Sequence, residues 1–139
     1  MTQTRNATTR CRSQQRQGVA AVEFAVCLPV IVLLVFGAIE ASSFIFLKQS
    51  LNVAAYEGIR ESIRVGYDNK SGMDRAANIL NSRNVRDFFV SFPNGEAGDA
   101  ERGDEIVIEV TAPTTTNSPL AGRFVRNRTL TARVVMVKE

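Results

Sequence analysis

The fold is decided by the stretch "RQGVAAVEFAVCLPVIVLLVFGAIE", residues 16 to 40. Its uncharged core runs from Phe24 to Ile39 and is 16 residues long. Continued through Leu47, the apolar run gives about 36 Å of helix, more than the about 30 Å of a bilayer core. The stretch therefore predicts a membrane-spanning helix. A carboxylate, Glu23, stands near its start, and we expect it to have a partner because an isolated charge in lipid is costly.

Basic charge is concentrated in front of this stretch. Four arginines precede Gly18 with no acid among them: Arg5, Arg10, Arg12 and Arg16. From residue 19 onward, 13 basic and 14 acidic side chains nearly cancel. A basic flank predicts that the N-terminus stays in the cytoplasm and that the C-terminal part is exported. The near-neutral body shows no basic stripe along its sequence, so we expect no nucleic-acid partner.

The chain is poor in residues that carry catalysis or bind metals. It has no histidine and two cysteines, Cys11 in the basic tail and Cys27 in the apolar run. Histidine is the commonest general base and metal ligand, and two cysteines in such different surroundings give no disulfide framework. We therefore expect a non-enzyme that has no cofactor and no metal site.

The helix is predicted to continue beyond the membrane, from about residue 19 to 65, with Gly66 as the stop signal. Apolar residues recur at spacings of three and four, as on one face of an amphipathic helix: Phe44, Leu47, Leu51, Ala55, Ile59 and Ile63. The first half of this helix is thus lipid-soluble. The second half has an apolar seam for packing.

The remaining sequence predicts a small exported domain, residues 66–139. A short helix is expected at 71–80 with Ser71 as its N-cap, and the runs at 86–92, 104–113 and 128–138 have strand composition or alternation. The fold class is therefore α+β, a long N-terminal helix packed on a small antiparallel sheet.

Other segments of this domain predict ordinary roles. The acidic segment 95–105 is expected to be a mobile loop, since it lacks the ligand spacing of a calcium-binding loop. Residues 113–122 are expected to form a loop. Three phenylalanines are expected in the core: Phe88, Phe89 and Phe92.

The start of the apolar run resembles the type IV prepilin leader. The pattern consists of a basic segment, a glycine, four residues, and then Glu followed by an aromatic residue. It is met by Gly18, Val19 to Val22, and Glu23-Phe24. The resemblance implies that residues 1–18 are a leader, which a prepilin peptidase removes after Gly18. It also implies that Glu23 pairs with the new α-amino group of Val19 on a neighbouring subunit and so sets the register between subunits.

A longer segment resembles TadE/TadF-like minor pilins, or pseudopilins, of tight-adherence pilus systems. The shared elements are "AAVEF" at 20–24, Pro29, "FGAIE" at 36–40 and "AAYEGIR" at 54–60. Two positions depart from the family pattern, Ala41-Ser42-Ser43 and Tyr56. Glu40 ends the second element and is a candidate for a contact inside the membrane, the other possibility being a place among the lipid headgroups.

The resemblance implies a minor pilin precursor that takes part in pilus assembly. Its expected location is the bacterial inner membrane, with the C-terminal domain outside the cytoplasm and possible incorporation into a surface pilus. Its expected partners are the prepilin peptidase, other pilins and the inner-membrane assembly platform.

Two alternatives remain from the sequence alone. The protein could be a secreted domain with a cleavable signal peptide, for which Ala41-Ser42-Ser43 is a mediocre cleavage signal and Phe44 the new start. It could also be an unprocessed single-span membrane protein that begins at Met1 or Thr2.

Overall fold

A computed structural model describes residues 8–64, 68–119 and 128–138, with side chains from Gly18 onward. The chain divides into two compact units, Met1–Ile39 and Glu40–Glu139. Among the predicted features, Arg5 and the stop signal Gly66 lie outside the described residues.

The first element, α1, is a helix of 55 residues from Thr8 to Ser62. The predicted single helix is confirmed, but it starts earlier than the predicted residue 19, because it already includes residues 8–17. This polar segment contains neither proline nor glycine before Gly18. Helix formation needs a costly nucleus but then extends cheaply, so the apolar run can propagate helix backward through it.

A second helix, α2, runs from Asn69 to Ser82. Its N-cap is Asp68 rather than the predicted Ser71, and the Asp68 carboxylate accepts hydrogen bonds from the Ser71 amide at 2.8 Å and hydroxyl at 2.9 Å. At the other end Asn84 has a positive φ of 56°, and the amide of Val85 bonds back to the carbonyl of Leu80. This ending is typical of a helix terminated by a left-handed residue.

Three strands follow within the described residues, β1 (Phe89–Ser91), β2 (Glu105–Pro113) and β3 (Thr129–Val137). They form an antiparallel sheet in the order β1-β2-β3. A four-residue helix, α3 (Thr114–Asn117), lies where the sequence predicted only loop. All three predicted strands are confirmed, and the α+β fold class is confirmed with them.

The core of the second unit joins the seam of α1 to the inner face of the sheet. The predicted seam is confirmed, since its four central residues are buried and its two ends are half-buried. The buried apolar cluster consists of Leu47, Leu51, Ala54, Ala55, Ile59, Ala76, Leu80, Val85, Ala97, Ile106, Ile108, Val110, Ala112 and Ala132. Most of these are aliphatic side chains or alanines, so the layers can approach closely.

One of the three phenylalanines is not in the core. Phe88 and Phe92 are half-buried and pack against the cluster, but Phe89 is 66% exposed. Successive side chains on a strand point to opposite faces of a sheet. Because Phe89 starts β1 on the outer face, the expectation of core packing was wrong for this residue.

The acidic segment 95–105 is fastened to the rest of the unit rather than free. The Lys138 ammonium donates to the carbonyls of Ala97 at 2.7 Å and Ala100 at 2.8 Å. The buried Asn69 side chain accepts from the Ala97 amide at 2.8 Å and donates to the Gly95 carbonyl at 2.9 Å. The composition of residues 95–105 predicted a mobile loop because both residues that hold the segment, Lys138 and Asn69, lie outside it.

The two helices of the unit cross where each has a glycine. A Cβ added to Gly72 would collide with the Ser62 hydroxyl and would lie 2.7 Å from the backbone carbonyl oxygen of Gly58. A Cβ added to Gly58 would lie 2.9 Å from the carbonyl oxygen of Gly72. The crossing therefore depends on two positions without side chains.

We predict that Gly72→Ala destabilises the protein by about 1–3 kcal/mol, since overpacking against backbone cannot be relieved by a rotamer change. Thermal unfolding of the full chain in detergent measures this loss. Gly98→Ala is the matched control, because a Cβ at Gly98 meets no atom within 4 Å. Equal unfolding temperatures for the two variants would contradict close helix packing at Gly72.

We predict that Asp68 stabilises the folded state and that this stabilisation is lost in acid. The hydrogen bonds from Ser71 hold the pKa of this carboxyl below its ordinary value of 3.8. The folded state thus binds fewer protons, so the contribution is fully present above about pH 3.8 and is lost as the pH falls through the folded-state pKa. Unfolding measured between pH 6 and 2 should show a shallower acid slope in Asp68→Asn than in the wild type. Asp74→Asn, an exposed change within α2, should leave the slope unchanged.

Candidate functional site in the N-terminal helix

The predicted cleavage site lies within α1 on an open surface. Gly18 and Val19 are both exposed, and Val19 is 57% accessible. A Cβ added to Gly18 would meet no atom within 4 Å. Nothing in the described part of the chain therefore requires a glycine for packing at this position. Glycine does weaken a helix by about 1 kcal/mol relative to alanine, which makes local opening easier.

Glu23 is an acid on an apolar, uncovered surface. Val22 and Phe24 beside it are more than 60% exposed, and Glu23 is exposed as well. Among the described residues no ion pair involves Glu23. It lies four residues after Val19, so the two share one side of the helix. In an apolar medium the Glu23 carboxylate is costly unless a cationic group neutralises it.

Glu40 belongs to the second unit. It is half-buried, and one of its carboxylate oxygens accepts a hydrogen bond from the Ser118 hydroxyl. Ser118 follows α3, so this bond ties the start of the second unit to the turn between β2 and β3. The predicted role of Glu40 inside the membrane stays a prediction, because the structure contains no membrane.

Apart from Glu23, the surface of α1 from Gly18 to Ile39 carries no charged side chain. One helix of the described residues is long and apolar enough to cross a membrane, namely the part from Gly18 to Ser62. Its most apolar portion is not buried against the rest of the chain. The large exposed side chains of this portion are Val19, Val22, Phe24, Val26, Leu28, Val30, Ile31, Val32, Leu33, Leu34, Val35, Phe36 and Ile39. A helix that is apolar all round and uncovered suits lipid or other apolar helices.

The element "AAYEGIR" at 54–60 has two distinct faces. The small and aliphatic members are buried: Ala54, Ala55, Gly58 and Ile59. Tyr56 and Arg60 are exposed, and the Glu57 carboxylate lies 3.9 Å from the Arg75 guanidinium of α2. This element therefore docks α1 onto α2 and the sheet. Tyr56, one of the departures from the family pattern, lies on the outer face and leaves that docking intact.

Sequence reasoning missed Asn117, which holds two distant segments together. Its side-chain amide donates to the Arg86 carbonyl and its side-chain oxygen accepts from the Arg86 amide, at 2.8 and 2.7 Å. It also donates to the Pro113 carbonyl at 2.8 Å. The Asn117 side chain thus satisfies both backbone groups of Arg86, as a neighbouring strand would in a sheet. The sequence offers no signal for this beyond an asparagine in a turn-forming segment.

Within the described ranges, no group of three or more His, Cys, Asp or Glu side chains is placed to hold a metal ion. Four acids of the acidic segment line an open recess on the surface: Glu96, Asp99, Asp104 and Glu105. The described residues thus provide no metal centre, and the candidate site consists of the helix surface and its two acids.

Comparison with known proteins supports the N-terminal resemblance. Residues 18–60 match the family model described as TadE-like protein. The match starts at the predicted cleavage glycine and ends at Arg60, and it contains Glu23, Glu40 and the docking element. No curated protein and no solved structure matches the chain. The resemblance to TadE-like pilins of tight-adherence systems is confirmed for this segment.

Proposed function

We propose that this chain, whose residues 18–60 match the TadE-like family model, is a minor pilin precursor of a tight-adherence pilus. TadE-like proteins are structural rather than catalytic, and the family associates the chain with Tad pilus components. The observation that carries the proposal is the uncovered apolar surface of α1 with one acid, Glu23, five residues after the predicted cleavage glycine Gly18. Such a surface is suited to lateral assembly with other helices.

Processing creates the partner that Glu23 needs. Cleavage after Gly18 by a prepilin peptidase gives Val19 a free α-amino group and removes the basic leader. Two unit charges about 4 Å apart attract by about 4 kcal/mol at an effective dielectric constant of about 20. A Val19 ammonium from a neighbouring subunit therefore neutralises Glu23 and favours one register between the helices. A subunit outside the assembly lacks this intermolecular pairing and is costlier to keep in lipid.

The proposed location follows from the order of the segments. The arginine-rich leader stays in the cytoplasm, the apolar part of α1 spans the inner membrane, and the folded unit that starts at Glu40 lies outside the cytoplasm. The proposed partners are the prepilin peptidase, other pilins and the membrane assembly platform. The folded unit gives this subunit a surface of its own, which determines its specific contacts within the pilus.

One contact weighs against the secreted alternative. A signal peptidase cut before Phe44 would remove Glu40, which bonds to Ser118 within the second compact unit. It would also remove Ser43, which is half-buried. A signal peptide does not normally take part in the folded domain that it exports. The residues before Phe44 are therefore better read as part of the mature protein.

We predict that Gly18→Ala blocks processing, so the full-length precursor accumulates. Alanine fits the space at this position and favours helix, so loss of cleavage would reflect recognition by the peptidase rather than misfolding. Intact mass and N-terminal peptide analysis in the native host measure the result. Gly37→Ala is the matched control, since a Cβ at Gly37 also meets no atom within 4 Å, and it should be processed normally. A wild-type start at Phe44, Met1 or Thr2 would overturn the proposal.

We predict that Glu23→Gln is cleaved normally but enters pili at least about tenfold less than the wild type, because the amide cannot form the charge pair. Quantitative immunoblotting of sheared pili against whole-cell protein measures incorporation. Glu105→Gln removes an exposed acid at the start of β2 and should leave incorporation unchanged. Wild-type incorporation of Glu23→Gln would refute the pairing mechanism but would leave the family assignment in place.

A further inference from the structure

The second unit begins with the part of α1 that starts at Glu40. Two contacts bring basic side chains from different elements to this end of the unit. The Lys48 ammonium of α1 donates to the backbone carbonyl of Thr131 in β3. The guanidinium of Arg83, just after α2, donates to the Ser50 hydroxyl of α1 at 3.4 Å. Lys48 and Arg83 therefore both flank the same turn of α1, although they are far apart in sequence.

The short helix α3 adds two further arginines to this end. Asn117 holds the backbone of Arg86 on both its amide and its carbonyl. At the start of α3, the amide of Thr114 donates to the Arg128 carbonyl at 2.8 Å, and the Arg128 amide donates to the Thr114 hydroxyl at 3.3 Å. Ser118 then connects the same turn to Glu40. The segments carrying Arg86 and Arg128 thus lie beside the first residues of the unit.

These four side chains, Lys48, Arg83, Arg86 and Arg128, form what we call the basic end. Among the described residues none of them forms an ion pair, whereas Arg64 and Arg75 bond to Glu61 at 3.2 Å and Glu57 at 3.9 Å. The acids near the basic end are Glu40, bonded to Ser118, and Asp87, next to Arg86 in the chain. Lys48, Arg86 and Arg128 are exposed. The basic end is therefore a positive surface open to an anionic partner.

Its position along the chain identifies the kind of partner. The uncovered part of α1 in front of the folded unit, residues 18–39, is about 33 Å long as a helix, slightly more than the about 30 Å thickness of a bilayer core. Ile45 and Phe46 are more than half exposed just before Lys48. Headgroups lie next to the Ile39 end of this span, and basic side chains close to an anionic membrane surface are attracted to it. Glu40 is thus expected at headgroup level with Arg86 and Arg128 beside it, and Lys48 and Arg83 lie farther from the bilayer.

We propose that the basic end binds the phosphates of anionic phospholipids in the bilayer that α1 spans. The inference rests on the proposed membrane anchoring and deepens it, since it assigns the folded unit a second, electrostatic contact with the membrane. A basic side chain close to an anionic surface favours the bound state about fivefold. Several such side chains hold the unit against the membrane until assembly removes it.

The test places a nitroxide spin label beside the basic end of the full chain. Thr129→Cys, an exposed position next to Arg128, is labelled in a Cys11→Ser, Cys27→Ser background. The collision rate of the label with a water-soluble nickel chelate is measured in phosphatidylcholine nanodiscs and in nanodiscs of equal parts phosphatidylcholine and phosphatidylglycerol. We expect a markedly lower collision rate in the anionic discs. About 0.5 M NaCl should largely restore it, because salt screens surface charge.

Matched charge variants make the test specific. Arg86→Gln with Arg128→Gln should lower the ratio of bound to free states about 25-fold, as the product of two fivefold effects. Arg60→Gln with Arg102→Gln removes the same charge from exposed positions elsewhere in the unit and should preserve the shielding. The proposal is overturned if both lipid mixtures give the same collision rate, if both variant pairs behave alike, or if shielding requires an added pilus protein.

Failure of this inference can be told apart from failure of the proposed function. A chain that co-elutes with the discs but whose label does not respond to anionic lipid retains its membrane anchor and lacks only the second contact. A chain that fails to enter the discs overturns both. Processing at Gly18 in the host is independent of either result.

Discussion

The structure depends on the one-sided burial of α1 after it leaves the apolar stretch. From Gly18 to Ile39 the helix is uncovered on all sides, but from Leu47 onward only one face is buried. That face consists of aliphatic residues, alanines, one glycine and two serines, Ser50 and Ser62, so the sheet and a second helix can both approach it. Large side chains there would hold the layers apart, and the small sheet would then lack a continuous core. The remaining faces of the helix stay open to other molecules.

Periodicity predicted most of this architecture. The apolar spacing from Phe44 to Ile63 indicated the buried face of α1, and the alternation in β2 and β3 indicated which residues face the core. These patterns succeed because burial repeats along a single element. They failed where a neighbouring segment decides the outcome, as at Asp68, which caps α2 ahead of Ser71, and at the acidic segment, which Lys138 and Asn69 fasten from elsewhere in the chain.

The candidate site was predicted through resemblance and spacing rather than through packing. Gly18 and Glu23 lie on an open surface, so no fold-level constraint marks them, and only the order of basic leader, glycine and acid indicates their roles. The basic end could not be found in this way. Its four residues come from separate parts of a nearly neutral chain, and they meet only because the end of α3, the end of α2 and the start of β3 all contact α1 between Glu40 and Ser50.

The side chain of Asn117 has a consequence for the chemical ageing of the protein. It is followed by a serine, a small neighbour that gives a backbone amide easy access to the asparagine carbonyl carbon. Spontaneous deamidation would replace the nitrogen that donates to the Arg86 and Pro113 carbonyls with an oxygen that repels them. The regular backbone of α3 opposes this reaction by keeping the amide out of reach. The lifetime of the contact between Asn117 and Arg86 is therefore limited by how often the four residues of α3 unwind.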